Sequence, residues 1–162
     1  MKKVIVIFLL VFLSSSISIT EISAQDEKKG SVIGTFGIGG GFGTTVETAP
    51  QFSFIFDLNL ISKTGFTLSL SDFINVRPGA LGPSQNLMFG FGYNFLKDNW
   101  NIGGTIIAAP TSQDVLVGGK INGGYFFTDD IGVTGIITYR QTVGIVSDLS
   151  MFDAFAGISI RF

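Results

Sequence analysis

The chain has 162 residues, a formal net charge of −2, and neither Cys nor His. Those absences exclude disulfides, Cys-ligated zinc or iron–sulfur centres, and the Ser-His-acid and Cys-His nucleophile arrangements. Charged residues make up 14% of the chain, well below the usual ~25%. No basic cluster favours a nucleic acid as partner.

The N-terminus reads as an export signal. Lys2 and Lys3 precede an unbroken apolar run from Val4 to Leu13, and Ser14 to Ala24 is smaller and more polar, with a cut expected after Ala24. The run is short for a spanning helix, which needs ~20 apolar residues. Extension through Ile17 and Ile19 would admit an uncleaved anchor, but serines interrupt it. Residues 25–31 read as a charged periplasmic lead-in and 32–162 as one domain. The domain is rich in Phe but has no second long apolar run. Only helices and closed barrels span lipid, because every backbone group needs an internal partner. The choice is therefore a barrel or an unusually apolar soluble β-protein.

Period-2 alternation predicts eight strands in chain order. In the first, from about Val32 to Phe42, Val32, Phe36, Ile38 and Phe42 oppose Ile33, Thr35, Gly37, Gly39 and Gly41. In the second, Phe52, Phe54, Phe56, Leu58 and Leu60 alternate with Ser53, Ile55, Asp57 and Asn59. The third sets Phe66, Leu68 and Leu70 against Thr67, Ser69 and Ser71, and the fourth sets Leu87, Phe89, Phe91, Tyr93 and Phe95 against Asn86, Met88, Gly90, Gly92 and Asn94. The fifth is softer, with Trp100, Ile102, Ile106 and Ala108 against Asn101, Gly103, Thr105 and Ile107. The sixth carries Val115, Val117, Ile121, Tyr125 and Phe127 against Gly118, Lys120, Asn122 and Gly124. The seventh carries Ile131, Val133, Ile137 and Tyr139 against Gly132, Thr134, Thr138 and Arg140. The eighth carries Phe152, Ala154, Ala156, Ile158, Ile160 and Phe162 against Asp153, Gly157, Ser159 and Arg161. Strands of ~9–11 residues cross a bilayer when tilted. The fold class predicted is all-β: an eight-stranded antiparallel up-and-down transmembrane β-barrel.

The connections alternate as well. Ser62-Lys63-Thr64, Lys97-Asp98-Asn99 and Thr128-Asp129-Asp130 are short and polar, whereas Gly43 to Pro50, Phe73 to Ser84, Ala109 to Asp114 and Gln141 to Ser150 are longer. Short periplasmic turns and long outer loops put both termini in the periplasm of an outer-membrane protein. Phe66, Tyr93, Phe95, Trp100, Tyr125, Phe127 and Phe162 lie on the apolar face beside the short turns or the C-terminus. They read as a membrane-interface girdle. The alternative is core aromatics near the strand ends of a soluble barrel.

Phe162, with Ile160 and Ile158 behind it, resembles the C-terminal signature of outer-membrane barrels. The stretches Gly92-Tyr93-Asn94-Phe95…Asp98…Ile102 and Gly124-Tyr125-Phe126-Phe127…Asp129…Ile131 resemble the strand–turn–strand units of OmpX/OmpA-like and OmpW-like small barrels. The resemblance implies membrane lipid and the barrel-assembly machinery as partners. Such barrels include adhesins, membrane-stabilising proteins, small channels and lipid-modifying enzymes, so fold alone does not choose a function.

With the apolar faces toward lipid, the opposite faces fill a narrow lumen of Gly, Ser, Thr and Asn. Asp57, Lys120, Arg140, Asp153 and Arg161 carry lumen parity. Asp153 is expected to pair with Arg140, with Lys120 nearby, either as a salt-bridge plug or as an ion-selective constriction. Asp72 has the parity of the lipid face and Phe73 does not, so either the third strand ends there or a bulge reverses its phase. The Gly37 to Gly43 stretch does not match a phosphate-binding loop and reads as wall-thinning or bending. No catalytic set, metal or cofactor is implied. Three functions remain: a non-enzymatic structural or surface-contact barrel, a small channel for ions or apolar solutes, and a soluble lipocalin-like carrier.

Overall fold

Strands of alternating sequence have one apolar edge to cover and two backbone edges to pair, and here they do both by closing on themselves. The computed structural model describes residues 30–43, 51–76, 84–110, 114–144 and 150–162. The predicted export signal and most of the predicted long links lie outside these. The strands are β1 (Ser31–Gly43), β2 (Gln51–Ile61), β3 (Phe66–Val76), β4 (Ser84–Lys97), β5 (Trp100–Pro110), β6 (Val115–Phe126), β7 (Ile131–Val143) and β8 (Ser150–Arg161). Each pairs antiparallel with its sequence neighbours, and β8 closes onto β1. The Phe162 N–H donates to the Val32 carbonyl at 2.9 Å, extending that seam past the last strand residue.

Register fixes the shape. A path of paired residues leaves β1 at Ser31 and passes through Ile61, Thr67, Gly92, Thr105, Lys120, Thr138 and Asp153. It returns to β1 at Gly41, ten residues further along. A stagger of this kind tilts strands by about 35–45° and leaves an interior just wide enough for side chains.

Three short turns share one end of the barrel with Gly30 and Phe162, the first and last described residues, and this is called the terminal end; the opposite rim is the loop end. The β2–β3 turn needs a left-handed residue and has Gly65 there, at φ 91°. In the two-residue β4–β5 turn Asp98 takes that role at φ 51°, a conformation Asp tolerates better than most residues. Thr128 Oγ1 accepts from the Ile131 N–H at 2.9 Å in the β6–β7 turn.

Two expectations are corrected. β3 neither ends nor bulges at Asp72: it stays in phase to Val76, pairing Asp72 with Phe56 and Leu87. Asp72 therefore faces outward, and Phe73 is fully buried in the lumen. The interior is also not merely small and polar. Ile55, Phe73, Met88, Ile107, Ile136 and Phe155 all point inward and pack as one apolar cluster. Gly37 makes room for it, since a Cβ there would crowd Ile55 and Phe155.

Candidate functional site

Lumen parity alone does not say how charges meet, because side chains on opposite walls reach across the barrel. β2 shows the order of layers from the terminal end: Ile61, Asn59, Asp57, Ile55, Ser53 and Gln51 all point inward. Ile61 belongs to an apolar cap with Ile33 and Phe126, against which Leu96 packs. Above the cap lie hydroxyl and amide bridges. Asn122 Nδ2 donates to Asn94 Oδ1 (2.9 Å), and Asn94 Nδ2 to Thr67 Oγ1 (3.0 Å). Thr35 and Ser159 are joined through their hydroxyls at 2.7 Å.

The first ion pair follows. Lys120 reaches across from β6, and Nζ donates to Asp57 Oδ1 at 2.5 Å, to Ser69 Oγ at 2.6 Å and to Ser71 Oγ at 3.2 Å. Asp57 Oδ2 accepts from Asn59 Nδ2 at 2.6 Å, and Oδ1 also accepts from Ser71 Oγ at 2.6 Å. Next comes the apolar cluster around Ile55, a septum between the charged layers. Beyond it Arg140 pairs with Asp153. Asp153 Oδ1 accepts from Gln51 Nε2 at 2.8 Å, and Ser53 Oγ lies 3.0 Å from Asn75 Oδ1. A side chain at Gly41 would collide with Asp153 and the adjacent β8 backbone, so the glycine leaves this carboxylate its place.

The predicted cluster is thus two separate pairs with a septum between them. Lys120 pairs with Asp57 instead of sitting beside Arg140 and Asp153, and all four side chains are at most 3% exposed. Arg161 keeps the lumen parity expected of it but stands apart from both pairs. It is half-buried at the terminal rim, where Nε donates to the Asp129 carbonyl at 2.7 Å and the guanidinium stands 4.6 Å from the Phe126 ring centroid. Arg161 braces a turn and caps the apolar plug from outside.

The contact between Ser69 and Lys120 has the donor set of a serine–lysine nucleophile pair. Here the ammonium serves as donor to Asp57 as well as to the serines, and packed side chains cover it on every side. The arrangement holds a buried charge: Lys120 is 1% exposed and Ser69 6%.

The outward face is mostly apolar over the barrel's height, with Asp72 and Gln85 as polar exceptions on β3 and β4. Phe66, Tyr93, Phe95, Trp100, Tyr125, Phe127 and Phe162 are 40% to 74% exposed and ring the terminal end. Trp100 and Tyr125 meet edge-on, with centroids 4.9 Å apart. A second group, not singled out from the sequence, stands at the loop end: Phe42 stacks on Phe152 at 5.6 Å, and Tyr139 Oη donates to Ser150 Oγ at 3.2 Å. Because β7, β8 and β1 carry this second group while β3 to β6 carry most of the first, neither group closes a ring around its rim. An inward-facing apolar ligand cavity, which a lipocalin-like carrier requires, is the reverse of this arrangement.

The chain shares its fold with Neisserial surface protein A. That crystal structure superposes with a TM-score of 0.63 at 11% identity, over 82% of this chain and 97% of the other. No protein-family profile and no curated protein matches the sequence. At this identity, the likeness to Neisserial surface protein A establishes the architecture, an all-β, eight-stranded antiparallel closed barrel. It says nothing about whether the two share a ligand.

Proposed function

We propose that the protein is an outer-membrane β-barrel with a non-enzymatic structural or surface-contact role, its lumen closed by a plug of two ion pairs and an apolar septum. The observation that carries this reading is the inversion of the barrel. Ile106, Ile121 and Ile158 are at least 60% exposed on the outside, while Lys120, Arg140 and Asp153 are at most 1% exposed inside. In water such a surface would be one large apolar patch, far beyond the few hundred Å² that soluble monomers tolerate. In a bilayer the same surface meets hydrocarbon, and a closed strand ladder pairs its backbone groups internally, as a spanning structure must.

Both termini then face the periplasm, beneath the aromatic belt at the terminal end, and the longer links face outward. The predicted signal peptide supports that export route. Membrane lipid and, through the strand ending in Phe162, the assembly machinery are the partners this reading requires. Its name makes Neisserial surface protein A a surface protein, which agrees with a role in surface contact. The test is cell fractionation with gel electrophoresis of boiled and unboiled samples. The folded protein should sediment with outer membranes and change mobility on boiling. Soluble periplasmic recovery with no mobility change would end this reading.

A further inference from the structure

Asp72 is a carboxylate on an otherwise apolar outward wall. Its Oδ2 accepts from Gln85 Nε2 at 2.6 Å, while Oδ1 is shielded from solvent and has no hydrogen-bond partner. Among the described residues no cation pairs with it. A neutral amide offsets only part of a carboxylate's demand at a site where water is scarce, so the missing complement is a positive charge.

The surroundings indicate what would bring that charge. A groove of about 580 Å³ runs along the outward face from Phe162 at the terminal end, past Gly34, between Leu58 and Leu70, to Asp72 and Leu87. That volume falls in the range of small-molecule sites, and one carboxylate at the end of an apolar wall is complementary to a small amphiphile with a cationic head. Gln85 lies on the loop-end side of Asp72, one residue from the start of β4, so the polar end of the groove is the one nearer the loop-end rim. Gly34 keeps the groove floor low: a Cβ there would come no closer than 4.0 Å to Leu58 and Phe162, so neither backbone nor packing demands the glycine.

We infer that this groove binds a long-chain amine, with its hydrocarbon along Leu70, Leu58 and Gly34 and its ammonium on Asp72. The inference rests on the outward face being the lipid-facing one. A barrel that never enters membranes would fail that reading first, whereas an inserted barrel without amine preference would fail only this one.

The experiment is native mass spectrometry of the detergent-folded full barrel titrated with dodecylamine, with dodecanol and dodecanoate as controls. One dodecylamine should bind saturably, and Asp72→Asn should weaken it by about tenfold or more, the loss expected when one member of a shielded charge pair is neutralised. Gly34→Leu, which fills the groove while leaving Asp72 intact, should weaken it comparably. Both variants should keep the mobility change on boiling, showing that they fold. Equal retention of dodecanol, or undiminished amine binding in Asp72→Asn, would overturn the inference.

Discussion

The guanidinium carbon of Arg140 lies 4.1 Å from the centroid of the Phe73 ring. Phe73 in turn meets Phe155 at 6.0 Å. One aromatic side chain therefore roofs the septum and supports the upper ion pair. Phe73→Ala should cost about 3–5 kcal/mol, the usual range for an aromatic truncated in a core. Phe73→Leu keeps most of the volume and should cost about 1–2 kcal/mol, including the lost cation–π contact. Urea titration of the folded barrel in liposomes measures both. Equal losses for the two variants would show that Phe73 contributes no filling of the septum.

The two ion pairs should behave as independent units. Asp153→Ala strands Arg140 and should cost roughly 3–5 kcal/mol, as should Asp57→Ala by stranding Lys120. Asp153→Asn combined with Arg140→Gln should recover much of the loss, because neutral partners still hydrogen-bond. Double-mutant cycles should give strong coupling within each pair and values near zero between Lys120 and Asp153. Strong coupling of Lys120 to Asp153 would restore a single shared cluster.

Arg161 makes its contacts at the half-buried terminal rim. Arg161→Ala should therefore lower stability by no more than about 1 kcal/mol. It should also leave the coupling energies of both inner pairs unchanged. A loss as large as that of Asp153→Ala would place Arg161 among the inner charges.

Phe162 is the most exposed of the terminal-end aromatics, at 74%, and its backbone closes the seam to Val32. Deleting it, or replacing it with a charged residue, should slow assembly in cells by removing both the seam contact and the interface anchor. Pulse-labelling with the boiling-dependent gel shift follows this. Wild-type assembly kinetics in the deletion would remove Phe162 from the account.

The barrel was legible because period-2 alternation requires no knowledge of long-range partners: Phe52 to Leu60 and Ser53 to Asn59 divide cleanly between the faces. The gathering of exposed aromatics at the terminal end was legible because short turns mark it in the sequence. Charge pairing was not. Lys120 and Asp57 are 63 positions apart and lie on opposite walls, and counting heights along neighbouring strands cannot show a contact across the lumen. The septum was hidden for a similar reason. Ile55, Met88 and Ile107 were placed inward, but Ile136 and Phe155 sit in segments with apolar residues on both faces, where alternation carries little signal. Phe73 was visible as a phase anomaly. Its explanation was an outward Asp72 and an inward Phe73 in an unbroken strand, an arrangement that costs burial of a carboxyl but gives the septum one of its two phenylalanines.

Planar-bilayer recording tests most directly whether paired charges and an apolar septum close the lumen. Wild-type protein folded in detergent and inserted into the bilayer, with insertion confirmed by the gel shift of recovered protein, should add no steady current. Removing the septum's bulk by combining Phe73→Ala with Phe155→Ala should produce conductance if the barrel still inserts. Steady ohmic conductance in the wild type, unaffected by the septum substitutions, would contradict the plug and favour a channel.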